Sequence, residues 1–228
     1  MQEAGRRGRS GRGVELSWRL DGAAQSPDAA LIISLHGFGM NEDAFARLLH
    51  SAFSLPAWFL TLRAPIAASG INEAKGASWY DYDGDQQRFL VELARIEETL
   101  LGAVVEAEAE LGLRPRARYL LGFSQGGYAG AVIALRHPER FRGMIISGAR
   151  VKHEVLGPEM ERAAAAGFEA LLLHGERDAS VALDGAKAGE AALHAAGLSV
   201  QLHTFPSGHS LGRAQVAVIR DWLLPRIA

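Results

Sequence analysis

Gly122-Phe123-Ser124-Gln125-Gly126 is the stretch of this chain that leaves the fewest folds open. An apolar run over 118–123 leads into it, and a helical pattern over 125–136 leaves it. Glycines flanking a serine at a strand-to-helix junction are what the backbone requires when the turn is too tight for a Cβ. The hydroxyl is then held out at the carboxyl end of a sheet, beside the positive end of a helix dipole. The alternative is a Gly-rich turn with a bystander serine, and the strand–turn–helix context weighs against it.

Elsewhere short apolar runs alternate with longer periodic ones. Strands are predicted at 31–35, 58–62, 118–123, 143–147, 168–174 and 198–205. Helices are predicted after the capping residue Asn41 and over 85–111, 125–136, 183–196 and 210–224. Strands separated by helices require crossover connections, so the sheet is expected to be mostly parallel. Residues 14–20 alternate Val14, Leu16, Trp18 and Leu20 against polar neighbours, which suits a half-exposed antiparallel edge strand. Residues 64–84 have no clean period and read as a long loop carrying Trp79-Tyr80-Asp81-Tyr82. The fold class is α/β, a mostly parallel central sheet flanked by helices. The stretch between Ser147 and Phe168 is too short for a large lid.

Composition closes off other classes. The 228 residues suit one domain and contain no cysteine, which excludes disulfides and thiolate chemistry. A net charge of −2 speaks against nucleic acid as a partner, and no apolar run approaches a membrane span. The first thirteen residues carry Arg6, Arg7, Arg9 and Arg12 among glycines. They are expected to be a disordered Arg/Gly-rich tail (1–13) ahead of a single domain (14–228). A twin-arginine export signal would need an uncharged apolar stretch next, and Glu15 and Arg19 break it. An anion- or RNA-contacting arm is the other reading of this charge run.

A serine hydroxyl attacks carbon only when a base takes its proton, and the base is oriented by an acid. After an elbow serine the order is Ser, Asp or Glu, then His. Asp178 follows a predicted strand and its glycine, with Val181 to anchor the loop; Glu176 is the competing carboxylate. Of the three histidines beyond Asp178, His194 falls in a helix and His203 in a strand. His209 lies in the loop between the last strand and the last helix, where the base is needed. The oxyanion donors expected are the backbone N–H groups of Gln125 and of Phe38, the latter in the turn His36-Gly37-Phe38-Gly39. His36 reads as a brace for that turn. No His-Glu-x-x-His, phosphate-loop or dinucleotide pattern is present, so neither metal nor cofactor is expected.

Leu35-His36-Gly37-Phe38-Gly39, Gly122-Phe123-Ser124-Gln125-Gly126-Gly127, His174-Gly175 with Asp178, and Gly208-His209 together resemble the phospholipase/carboxylesterase family of α/β-hydrolases. That group includes bacterial carboxylesterases and acyl-protein thioesterases. The resemblance runs over about residues 29–222. It implies a triad of Ser124, Asp178 and His209, oxyanion N–H groups from Phe38 and Gln125, and no cofactor. Trp79-Tyr80-Asp81 is similar to a family segment beside the acyl pocket. With no lid, the loop after Leu62 is expected to wall that pocket, so Trp79, Tyr80 and Ile71 are expected to contact substrate; a core position is the other reading of Trp79. Tyr128 stands where the family more often has a small or sulfur-containing residue. The function expected is cleavage of carboxylic esters of short to medium acyl chains through an acyl-enzyme. A thioesterase or lysophospholipase acting on S-acylated proteins or lysolipids is the alternative, and a non-catalytic acyl-binding protein the second. The partner expected is a small-molecule or lipid-like ester, with a homodimer as the protein–protein alternative, and the location expected is the cytoplasm.

Overall fold

The computed structural model describes residues 5–11, 14–68 and 75–227. Its strands are β1 (Arg6–Ser10), β2 (Leu16–Gly22), β3 (Leu31–Leu35), β4 (Trp58–Leu62), β5 (Ile66–Ala68), β6 (Gly76–Ser78), β7 (Arg118–Phe123), β8 (Gly143–Ser147), β9 (Glu169–Gly175) and β10 (Ser199–Phe205). Its helices are α1 (Glu42–Leu49), α2 (Gln86–Leu111), α3 (Gln125–Arg136), α4 (Gly157–Ala165), α5 (Leu183–Ala195) and α6 (Arg213–Ile227). Among the described residues eight strands form one sheet in the order β1-β2-β4-β3-β7-β8-β9-β10. From β4 to β10 every neighbour is parallel, while β1–β2 and β2–β4 are antiparallel. The expected α/β-hydrolase architecture is what the chain adopts.

Burial on both faces explains the unbroken apolar runs. Along β3, Leu31, Ile33 and Leu35 pack with α2 and α3, while Ile32 packs with α1 and α6 on the opposite face. A parallel strand covered on two sides has no solvent face to mark with polar residues. Asn41 caps α1 by accepting the Ala44 N–H at 2.9 Å. Asp85 caps α2 by accepting from Gln87 and Arg88. Both caps fix where a loop near the carboxyl ends of the strands turns into a helix.

Two expectations fail at the N-terminal end. Residues 6–10, assigned to a disordered tail, form β1, and β2 is therefore not an edge strand. Local composition misses this because the contacts are distant in sequence. Arg7 makes a bidentate pair with Asp43 at 2.7 and 3.0 Å. The Ser10 hydroxyl donates to the Ala103 carbonyl at 2.9 Å, and the Gly11 N–H to Glu106 at 2.6 Å. Gly8 lies over Trp18, whose ring is 2% exposed; a Cβ at Gly8 would stand 2.3 Å from it. Glycine, read as a sign of disorder, is here the only residue that lets the strand close over the indole. Residues 64–84 are also less irregular than expected, since β5 and β6 pair and Ala77 bridges to Met40 after β3.

Replacing Gly8 by valine should lower unfolding stability by about 1–3 kcal/mol, the usual cost of overpacking. Urea denaturation followed by tryptophan emission measures it; an unchanged midpoint would show that β1 does not cover Trp18.

Candidate active site

Ser124 sits between β7 and α3 with φ 51° and ψ −119°, the one non-glycine residue with positive φ among the described residues. Conformations of this kind cost about 1–3 kcal/mol and persist only where the surroundings enforce them. Two close approaches do so. A Cβ at Gly122 would lie 2.4 Å from the Gly126 carbonyl oxygen, and one at Gly126 would lie 2.4 Å from that of Leu35. The Ser124 N–H is tied across the sheet to the Ser147 carbonyl at 2.9 Å.

The three residues expected to act together are brought together. Ser124 Oγ is 2.8 Å from His209 Nε2, and His209 Nδ1 is 2.7 Å from Asp178 Oδ2. The carboxylate accepts only, so Nδ1 carries the proton toward it and Nε2 is left to accept from the serine. The Asp178 side chain is fully buried. Its other oxygen accepts the N–H groups of Ser180 and Val181, both at 2.9 Å. Burial pushes the Asp178 pKa up, but the Val181 N–H, the His209 ring and the Ser180 N–H outweigh it and hold the group below the ordinary aspartate value. Glu176 is exposed and accepts from the Thr204 hydroxyl instead. His194 on α5 and His203 on β10 are exposed.

His174 has a role that no sequence pattern indicated. It is buried at the end of β9, where Nε2 donates to the Val181 carbonyl at 2.8 Å. It therefore fixes the residue whose N–H holds Asp178.

His36 braces the turn after β3 as expected. Its Nδ1 donates to the Gly37 carbonyl at 2.7 Å, and its Nε2 accepts the Ala64 N–H at 3.1 Å. Trp79 is a correction. The ring is completely buried, its Nε1 donates to the His36 carbonyl at 2.8 Å, and it packs on the His36 ring. It supports the turn from behind and cannot wall a substrate pocket. Ile71 lies outside the described residues. Tyr80 borders both grooves described below.

The Gln125 side chain was also unforeseen, its backbone alone having been assigned a part. Nε2 donates to Ser78 Oγ and to the Tyr80 carbonyl, both at 2.8 Å, and Oε1 accepts the Trp79 N–H at 2.9 Å. One amide thus clamps residues 78–80 to the first turn of α3.

Two grooves border the triad's supports. One of about 280 Å³ is walled in part by Phe38, Tyr80, Asp81, Asp83, Arg88 and Gln125. The other, about 520 Å³, is walled in part by Tyr82, Phe89, Tyr128, Lys152, Ser180 and Val181. A further hollow of about 520 Å³ lies by β2, His50 and Phe53, and none of its walls bonds to the triad. Among the described residues no three His, Asp or Glu side chains converge as a metal site requires.

Burial lowers the His36 pKa from 6.5 to about 4, against the bond to Gly37, which acts to raise it. Between those values the unfolded chain holds the extra proton, so the stability His36 contributes is complete above pH 6.5 and is lost as pH falls toward 4. The loss amounts to about 3 kcal/mol. H36N, whose amide can reproduce the bond to Gly37, should lose that much less stability over this range, as measured by urea titrations at stepped pH.

The model of the Phospholipase/Carboxylesterase family matches residues 22–225. A probable carboxylesterase of Oryza sativa subsp. japonica is 27% identical over 219 residues, covering 88% of this chain and 79% of that protein. Among solved structures, esterase PE8 superposes with a TM-score of 0.72 at 24% identity, covering 96% of this chain and 99% of the other. Acyl-protein thioesterase 2 of Zea mays superposes with a TM-score of 0.71 at 18% identity, covering 92% and 99%. With a family match over nearly the whole chain and the fold of its structural relatives, this chain belongs to the phospholipase/carboxylesterase family of α/β-hydrolases.

Proposed function

We propose that the chain is a serine esterase that cleaves carboxylic esters of short to medium acyl chains through an acyl-enzyme. The observation that carries this is the unbroken relay from Asp178 through His209 to the Ser124 hydroxyl. Ser124 Oγ attacks the ester carbonyl as His209 Nε2 takes its proton. Asp178 holds the Nδ1–H tautomer and stabilises the imidazolium that forms. The oxyanion develops between the backbone N–H groups of Phe38 and Gln125. As the first residue of α3, Gln125 has no carbonyl one turn earlier within the helix to occupy its N–H. His209 then returns the proton to the leaving alkoxide, which departs as the alcohol. Water, activated by the same imidazole, releases the acid and restores the serine.

Chain length follows from the larger groove. A methylene gains about 0.8 kcal/mol only while it is being buried. The walls mix Tyr82, Phe89 and Tyr128 with Arg150, Lys152 and Glu154. A long hydrocarbon would lie against these polar groups and desolvate them, so selectivity should rise over the first few carbons and then level or fall.

Ser124→Ala should lower kcat for p-nitrophenyl butyrate by about 10⁴–10⁶, and Asp178→Asn by nearly as much. An organophosphonate probe should label the wild type and not S124A; labelling of S124A would point to another serine. Gln125→Leu keeps the backbone donor but releases residues 78–80. It should lower kcat/KM by about 10–100-fold through misplacement of the oxyanion loop, while phosphonate labelling of Ser124 persists at a slower rate. Unchanged kinetics would mean the clamp serves the fold alone.

A further inference from the structure

Lys152 is difficult to explain as a structural residue. It lies a few positions past β8, is 8% exposed, and borders the larger groove. An ammonium has three protons to donate and is costly to bury without partners. The one hydrogen bond it makes among the described residues is to Gln86 Oε1 at 2.7 Å, a neutral acceptor. Glu154 forms a looser ion pair with it at 3.7 Å, and both carboxylate oxygens are engaged more closely by Arg150 at 2.8 and 3.1 Å. The Phe89 ring lies 5.2 Å beneath it. Two cations therefore share one carboxylate in the groove, and the more buried of them, Lys152, holds the longer of the two contacts. Burial first and the neighbouring Arg150 second hold the Lys152 pKa below the ordinary lysine value, although Glu154 acts to raise it.

The groove shares backbone supports with the triad. Ser180 and Val181 form part of its wall and donate to Asp178, and the Tyr128 N–H bonds to the Ser124 carbonyl. The Tyr82 hydroxyl accepts from Gln86 Nε2 and retains its own proton to donate. A ligand anion in this groove would meet the free donors of Lys152 and that phenol.

We propose that the larger groove is an anion subsite and that the preferred substrates are esters carrying a carboxylate or phosphate group, which Lys152 receives. The proposal rests on the esterase reading above and names its substrate class. The anion can belong to the acyl part, as in a half-ester of a dicarboxylic acid, or to the alcohol, as in an acylated glycerol phosphate.

The test uses both sources. In one arm p-nitrophenyl hydrogen adipate is compared with its neutral methyl ester; in the other, butanoyl glycerol 3-phosphate with butanoyl glycerol. The wild type should favour the charged member in at least one arm by about tenfold or more in kcat/KM. In that arm Lys152→Met should lower the charged-to-neutral ratio by about tenfold or more, and Lys152→Arg should keep it. Glu154→Gln removes the competing carboxylate from a partly exposed site and should raise the ratio, which tests the idea even if K152M folds poorly. A preference for the neutral member in both arms, or a ratio that neither K152M nor E154Q moves, would overturn the proposal. If the wild type cleaves none of the four esters, the esterase reading fails, and calorimetry with adipate and glycerol 3-phosphate decides the subsite alone. Heat of binding that K152M removes supports it, and no heat from either anion overturns it.

Discussion

Helix α3 approaches β3 so closely that one added carbon at Gly126 would collide with the carbonyls of Leu35 and His36. That approach forces Ser124 into positive φ and lifts its hydroxyl off the end of the sheet toward His209. It also brings the start of α3 against the turn after β3, so Ser124 and the turn at 36–39 meet without further elements to span them. The strain is local, while what enforces it is the parallel register of β3, β7 and β8. A change that slackens the sheet near Leu35 would relax the elbow before it unfolds the molecule.

Around that point neutral hydrogen bonds hold the site as firmly as charges do. Gln125 ties residues 78–80 to α3, Trp79 ties them to the carbonyl of His36, and His36 ties its own turn to Ala64. All are buried or nearly so, where an unmade bond leaves a desolvated group at a cost of about 1–3 kcal/mol. On the acid side Val181 is used twice, its N–H by Asp178 and its carbonyl by His174. Asp178 is thus aligned by a loop that is itself fixed from below, which spares His209 from doing that work.

The main-sheet strands from Leu31 onward, and the meeting of Ser124, Asp178 and His209, were legible because each rests on a local signal: an apolar run, a cap, a glycine pair, or a histidine in the loop before the last helix. What escaped depends on partners distant in sequence. Arg6–Ser10 has no apolar content of its own, and its order comes from β2, Asp43 and Ala103. Trp79 in an irregular stretch reads as a pocket wall until the His36 carbonyl, 43 residues earlier, is seen to accept from it. Gln125 was chosen for its backbone, since nothing local shows that its amide faces Ser78. Arg150 and Lys152 follow a strand with no motif at all, and their meaning comes only from Gln86 and Phe89 at the start of α2.

Two residues in this structure are held in states that local physics disfavours: Lys152 borders the larger groove, and Ser124 is bonded to Tyr128 in its wall. Ser124 is strained in its backbone, and Lys152 is a buried charge whose one hydrogen bond is to a neutral amide and whose carboxylate is shared with Arg150. Scaffold roles do not account for either: an alanine at 124 would spare no strain but would lose nothing structural, and a methionine at 152 would pack against Phe89 without the desolvation. Consistency between local and global preference is the rule in folded chains, and exceptions gather where binding or chemistry is selected instead. The walls that carry Lys152 come from the start of α2 and the segment after β8, not from the β7–α3 elbow. Under the proposed reading, charge in the groove can therefore change without disturbing Ser124, so a fixed reaction can be combined with a substrate preference set separately.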